Sequence, residues 1–190
     1  MSGLVEGILK QLGPGGMAQI ARGLGADESA MGGAVAAAIP AIIAGMANNT
    51  RRDNGAESLA NALNDHNPTI FEDLGSLLGG GAATSDGAKI LGHVLGQRRP
   101  AVEENIAKQS GVNSNLIMKL LPILAPLVMG YLSKQKQSQD LDPGSLGALL
   151  NAERQQVETR QPGLGGLAAI LDADGDGSVI DDIIGGLSGQ

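Results

Sequence analysis

Two long apolar stretches dominate the chain, and shorter amphipathic segments surround them. Residues 28–47 and 114–134 are mostly apolar and too long for strands, so each predicts a buried helix. Residues 1–12 carry Glu6 and Lys10 within an apolar pattern, which suits an amphipathic first helix. Residues 58–63, 70–78, 88–95 and 102–109 read as further short amphipathic helices. Gly79-Gly80-Gly81 and residues 135–144 are the hinge or linker candidates. Pro40 and Pro126 fall inside the long helices, where each removes a backbone donor and is expected to bend its helix.

Composition narrows this picture. Of 190 residues, 30 are Gly, none is Cys or Trp, and Phe71 and Tyr131 are the only aromatics. The core must therefore be built from Ala, Leu, Ile, Val and Met. That argues against a β-sandwich or an RNA-reading sheet and for helices packed closely through small residues. Without Cys there are no disulfides, thiolate zinc sites or cysteine nucleophiles. His66 and His93 are too few for a multi-histidine metal centre.

The chain also repeats itself. Residues Ile20 to Asp27 align with Ile106 to Asn113 at an offset of 86 residues, which also places Pro40 on Pro126 and Met46 on Leu132. With a one-residue slip, residues 58–63 match 145–150. Gly25-Ala26-Asp27 and Gly111-Val112-Asn113 each put Gly at a helix end and Asp or Asn where the next N-cap belongs. These two junctions, the Pro-bearing helices and the segment Ile90-Leu91-Gly92-His93-Val94-Leu95-Gly96 resemble a bacterial family catalogued as a domain of unknown function, number 937. The resemblance covers roughly residues 4–134. It implies a bacterial, mostly helical protein and carries no catalytic residues to transfer.

Charge is unevenly placed. The net charge is −7, and Asp172, Asp174, Asp176, Asp181 and Asp182 lie together near the end of the sequence, leaving −2 on residues 1–171. Arg51-Arg52 and Arg98-Arg99 are isolated basic pairs, too few to make a nucleic-acid-binding field. Asp172-Ala173-Asp174-Gly175-Asp176-Gly177-Ser178-Val179 has carboxylates at positions 1, 3 and 5, Gly at 6 and a backbone-carbonyl position at Ser178. That resembles the first part of EF-hand and dockerin calcium loops, because a hard cation needs several oxygens at once and Gly177 permits the sharp turn. Ile183 stands at position 12, where a bidentate acid is expected; Asp181 and Asp182 come one or two places early. A capped helix uses one or two acids, whereas five within eleven residues repel one another unless a cation neutralises them. The candidate ligands are Asp172, Asp174, Asp176, Ser178, Asp181 and Asp182, for Ca²⁺ ahead of Mg²⁺. Asp86-Gly87-Ala88-Lys89-Ile90 partly echoes Asp176-Gly177-Ser178-Val179-Ile180, so the tail also reads as the opening of a truncated third unit.

The resulting expectation is an all-α protein of two related multi-helix units around long Pro-bent apolar helices, with a C-terminal acidic loop and short helix. A helical domain spans 1–136, its units at about 4–64 and 90–150. Residues 137–163 form a linker and short helix, and 164–190 a helix, the acidic loop and a second helix. Residues 29–50 carry no charge until Arg51 and are long enough to cross a bilayer, yet they are mostly Ala and Gly with Pro40 near the centre. Buried core helices are the preferred reading and membrane insertion the alternative. No secretory signal stands at the N-terminus, so the default compartment is cytoplasmic, with export by a non-standard route left open. No nucleophile motif accompanies either histidine, and an enzyme centred on His93 is the second alternative. The leading function is a non-enzymatic structural or interaction protein, calcium-binding and self-assembling, with a homo-oligomer or another protein as partner.

Overall fold

The computed structural model describes residues 3–79 and 81–160. It holds eight α-helices: α1 Leu4–Leu24, α2 Glu28–Thr50, α3 Gly55–Asn64, α4 Leu74–Gly79, α5 Gly81–Val94, α6 Arg99–Ser110, α7 Ser114–Gln139 and α8 Pro143–Arg160. Short 3-10 turns at Ile70–Asp73 and Gly96–Arg98 complete the path, and no strand occurs among the described residues. The expected all-α class is what the chain adopts. One amphipathic segment differs: residues 70–78 divide into a 3-10 turn and the short α4.

Local chemistry sets the helix junctions. Gly25 (φ 65°, ψ 35°) and Gly111 (φ 69°, ψ 11°) end α1 and α6 in the left-handed region, which glycine enters without a Cβ penalty. Two residues on, Asp27 and Asn113 turn the chain into α2 and α7 with almost the same extended backbone, ψ 136° in both. The Asp27 carboxylate accepts from the amides of Ser29 and Ala30 at 3.0 Å, and Asn113 Oδ1 from the amide of Asn115 at 2.8 Å. Replacing either residue with Ala is expected to cost about 1 kcal/mol, as loss of an N-cap does. Thermal unfolding is expected to show losses of this order in both variants, the larger in Asp27→Ala, which gives up two hydrogen bonds and a charge against one bond at Asn113.

α1 is two helical pieces. Gly13 (φ 59°, ψ 178°) breaks it, and Pro14 restarts it at a position where a missing amide hydrogen costs nothing. Pro40 lies inside α2, and both Pro122 and Pro126 inside α7; all three are buried. α8 is opened by Asp142, which accepts from the amide and hydroxyl of Ser145, each at 2.9 Å. Those hydrogen bonds, the amide's first, hold the Asp142 carboxyl below its ordinary value.

The two long helices form the centre of one continuous core. Ile20 and Ile106, Ile42 and Val128, and Met46 and Leu132 are repeat-related pairs, and every member is buried. α2 packs on α1 and α3 and also on α6, α7 and α8; α7 packs on α5 and α6 and also on α1, α2 and α3. Each long helix is thus held by helices from both halves of the chain. Residues 137–160 of the stretch read as linker and short helix are described. α7 runs on to Gln139, and α8 is an 18-residue helix whose Leu146 and Leu150 are fully buried against the rest.

Both long helices are apolar enough to cross a membrane by length and composition, but 72% and 78% of those windows are buried inside the fold. Their apolar surface is used by the core, as the buried-helix reading expects. Close packing comes from glycine. A methyl group on Gly7 would collide with the Tyr131 hydroxyl, and one on Gly45 would press on Val94 and Leu95. One on Gly87 of α5 would strike the Pro122 carbonyl of α7.

Candidate functional site

All six candidate metal ligands, Asp172, Asp174, Asp176, Ser178, Asp181 and Asp182, lie outside the described residues, as does the truncated third unit suggested by residues 176–180. Among the described residues no three His, Asp or Glu side chains gather closely enough to hold a metal ion.

The two histidines have different surroundings. His93 is exposed on α5, and its contribution to packing is its backbone carbonyl, which accepts from Asn49 Nδ2 at 2.6 Å. Asp86, seven residues earlier, turns to His66 instead, with Oδ2 3.7 Å from Nε2. Seven residues along a helix separate two positions by about 10 Å, too far for contact even on one face. His66 follows α3 and is mostly enclosed. Its Nδ1 lies 2.8 Å from the Ala62 carbonyl, and its own carbonyl accepts from Ser133 Oγ on α7 at 3.2 Å. The Nδ1–H tautomer is the one that bonds Ala62. The ring thus bonds back onto the end of α3, and the link from His66 to α7 is made by its backbone carbonyl. An enzyme centred on His93 would need an enclosed ring beside an acid; among the described residues the His93 side chain is exposed.

A carboxylate that sequence reading missed is more telling. Glu153 of α8 is only 7% exposed, and its Oε1 accepts from the Val5 amide at 3.1 Å, across 148 positions of sequence. Gly3, the residue before α1, has no side chain to cap the helix, and the Glu153 carboxylate fills the space beside it. Negative charge there complements the positive end of the α1 dipole. The acid thus joins α1 to α8.

A groove of about 860 Å³ opens where α1 breaks beside the start of α2. Apolar Leu9, Pro14 and Met17 line it together with the charged Lys10, Asp27 and Glu28.

These features define a class first: an all-helical bundle with an internally repeated helix–Gly–Asx–helix core and an acidic tail. The chain belongs to a family of bacterial proteins of unknown function, domain of unknown function 937, which matches residues 6–135. No curated protein and no solved structure matches it. The family places the protein among bacterial chains and assigns it no activity.

Proposed function

We propose that this protein is a non-enzymatic helical interaction module whose self-association is controlled by calcium bound at residues 172–182. The observation that carries the reading is the run Asp172-x-Asp174-x-Asp176-Gly177, followed by Asp181 and Asp182. Alternating carboxylates can turn three oxygens toward one point, and Gly177 allows the turn that brings the Ser178 carbonyl beside them. Five acids this close carry a repulsion that a divalent cation removes. Calcium suits a large, flexible oxygen set better than magnesium, which demands a near-ideal octahedron. With Ile183 where the bidentate acid belongs, affinity falls to the order of 10⁻⁴ M. Asp181, Asp182 or a carboxylate from a second copy completes the shell, and the last case couples binding to assembly.

Calorimetric titration with calcium tests the site. One weak site per chain is expected, together with a higher melting temperature in millimolar calcium. Asp174→Ala combined with Asp176→Ala should abolish both effects. Absence of binding heat and of any melting shift in the unaltered protein sinks the reading.

A further inference from the structure

His66 carries a polar atom that the fold leaves without a hydrogen bond. Its Nδ1 is taken by the Ala62 carbonyl at 2.8 Å, so the proton of the neutral ring sits there and Nε2 holds only a lone pair. That Nε2 is buried and has no hydrogen-bond partner. Facing it is the Asp86 carboxylate of α5, with Oδ2 at 3.7 Å. Two acceptors therefore stand opposite each other across a gap that one proton would bridge. A buried acceptor left unpaired costs free energy, and nearly all buried polar groups in folded proteins have partners. A proton on Nε2 turns this mismatch into a charge-assisted contact, with Nδ1–H still on Ala62.

The surroundings leave the carboxylate as the group that decides. Among the described residues, Asp86 is the charged side chain within ion-pair reach of the ring. Asp65 precedes His66 and is exposed. From α7, the Ser133 hydroxyl donates to the His66 carbonyl, and the Lys136 ammonium is engaged by Asn64 Oδ1 at 2.6 Å. Lys89, one turn beyond Asp86 on α5, and Glu72, in the 3-10 turn, are both exposed. His66 also begins the connection from α3 to α4. The Asn67 carbonyl and the Ile70 side chain of that connection lie against Gly130 of α7, and α5 packs on the same helix. A bond from His66 to Asp86 thus fastens the connection to α5 across α7.

We propose that His66 and Asp86 form an acid-operated clasp, in which charging of the imidazole between pH 8 and pH 5.5 joins the α3–α4 connection to α5. That range is the ordinary one for histidine, and a carboxylate stays ionised at its lower end. The sign follows from the partner. Charged His66 has Asp86 in the folded chain and only water in the unfolded one, so the contribution is present on the acid side and lost as the pH rises. The Asp86 side chain is 56% exposed and that of His66 17%, so solvent screening keeps the effect modest. Neither calcium nor a second copy takes part in the clasp.

Native-state amide exchange of the full chain in chelator, corrected for the intrinsic pH dependence of exchange, tests it at pH 8 and pH 5.5. Protection of residues 66–72 and 84–90, taken relative to that of α1, should be about fivefold higher at pH 5.5, the upper end for a partly exposed ion pair. Asp86→Asn should remove the rise, because its amide can donate to the neutral Nε2 and no added proton is needed. His93→Gln should keep it; His93 is the other histidine of the chain and is exposed on α5. Equal relative protection at the two pH values in the unaltered protein overturns the proposal, and so does the same rise in Asp86→Asn. Loss of the rise in His93→Gln also overturns it, by giving the effect to the other ring. If Asp86→Asn does not fold, His66→Gln decides: it has no group to charge in this range, and a rise that persists there contradicts the clasp. Because chelator is present throughout, failure of the calcium reading leaves this outcome unaffected.

Discussion

Gly87→Ala is expected to lower the stability of the fold by about 1–3 kcal/mol, the range for forcing extra volume into a packed site. Gly92→Ala, five residues along the same helix, is expected to raise it by about 0.5–1 kcal/mol. The methyl group and helix are the same; only the neighbour differs. Gly92 is exposed, and a Cβ there meets nothing within 4 Å, so the change keeps only the benefit of a stiffer unfolded chain. Gly87 is buried, and its Cβ would strike the Pro122 carbonyl. That oxygen belongs to backbone and cannot rotate aside. It is also the carbonyl that a residue four places on would normally bond, and that residue is Pro126, which has no N–H to give. α5 can lie against this bared carbonyl because residue 87 has no side chain. Urea unfolding followed by helical circular dichroism measures both variants; a common sign for the two changes would contradict this account of how α5 packs on α7.

Glu153→Ala should cost about 1.5–3 kcal/mol, the range for losing a hydrogen bond to a charged group. The change removes the acceptor of the Val5 amide and the carboxylate that stands at Gly3 in place of a cap. Glu153→Gln keeps an acceptor oxygen of the same reach and loses only the charge at the α1 N-terminus, so a smaller loss of about 0.3–1 kcal/mol is expected. Amide exchange should show where the loss falls. Protection at the start of α1 and along α8 should drop together in Glu153→Ala, while the centres of α2 and α7 change less. Independent behaviour of α1 and α8 would show that the carboxylate does not join them.

Much of the fold could be read from sequence because its junctions are local. Gly25-Ala26-Asp27 and Gly111-Val112-Asn113 encode a left-handed stop and an N-cap within three residues, and no distant partner is needed to recognise them. The long helices were legible from length and apolarity alone. Residues 135–144 misled because their polarity resembles a linker. The first half of the stretch, Gln135 to Gln139, holds three Gln and one Lys, which are good helix formers, and Lys136 bonds Asn64, so α7 continues through that half. The role of Glu153 was hidden for the opposite reason: its partner is 148 positions away, and nothing around residue 153 marks it. Helical spacing puts Asp86 and His93 near one face of α5, but α3 and α5 both pack on α7, which brings His66 near Asp86 instead. The acidic tail lies outside the described residues, and its reading as a cation loop comes from the alternating aspartates and Gly177 of the sequence.

Calcium-controlled association is tested most directly by size-exclusion chromatography with light scattering on the full chain, in millimolar calcium and in chelator. The account predicts a larger assembled mass in calcium and the monomer in chelator, with Asp174→Ala plus Asp176→Ala remaining monomeric in both. Identical masses for the unaltered protein in the two conditions would contradict it.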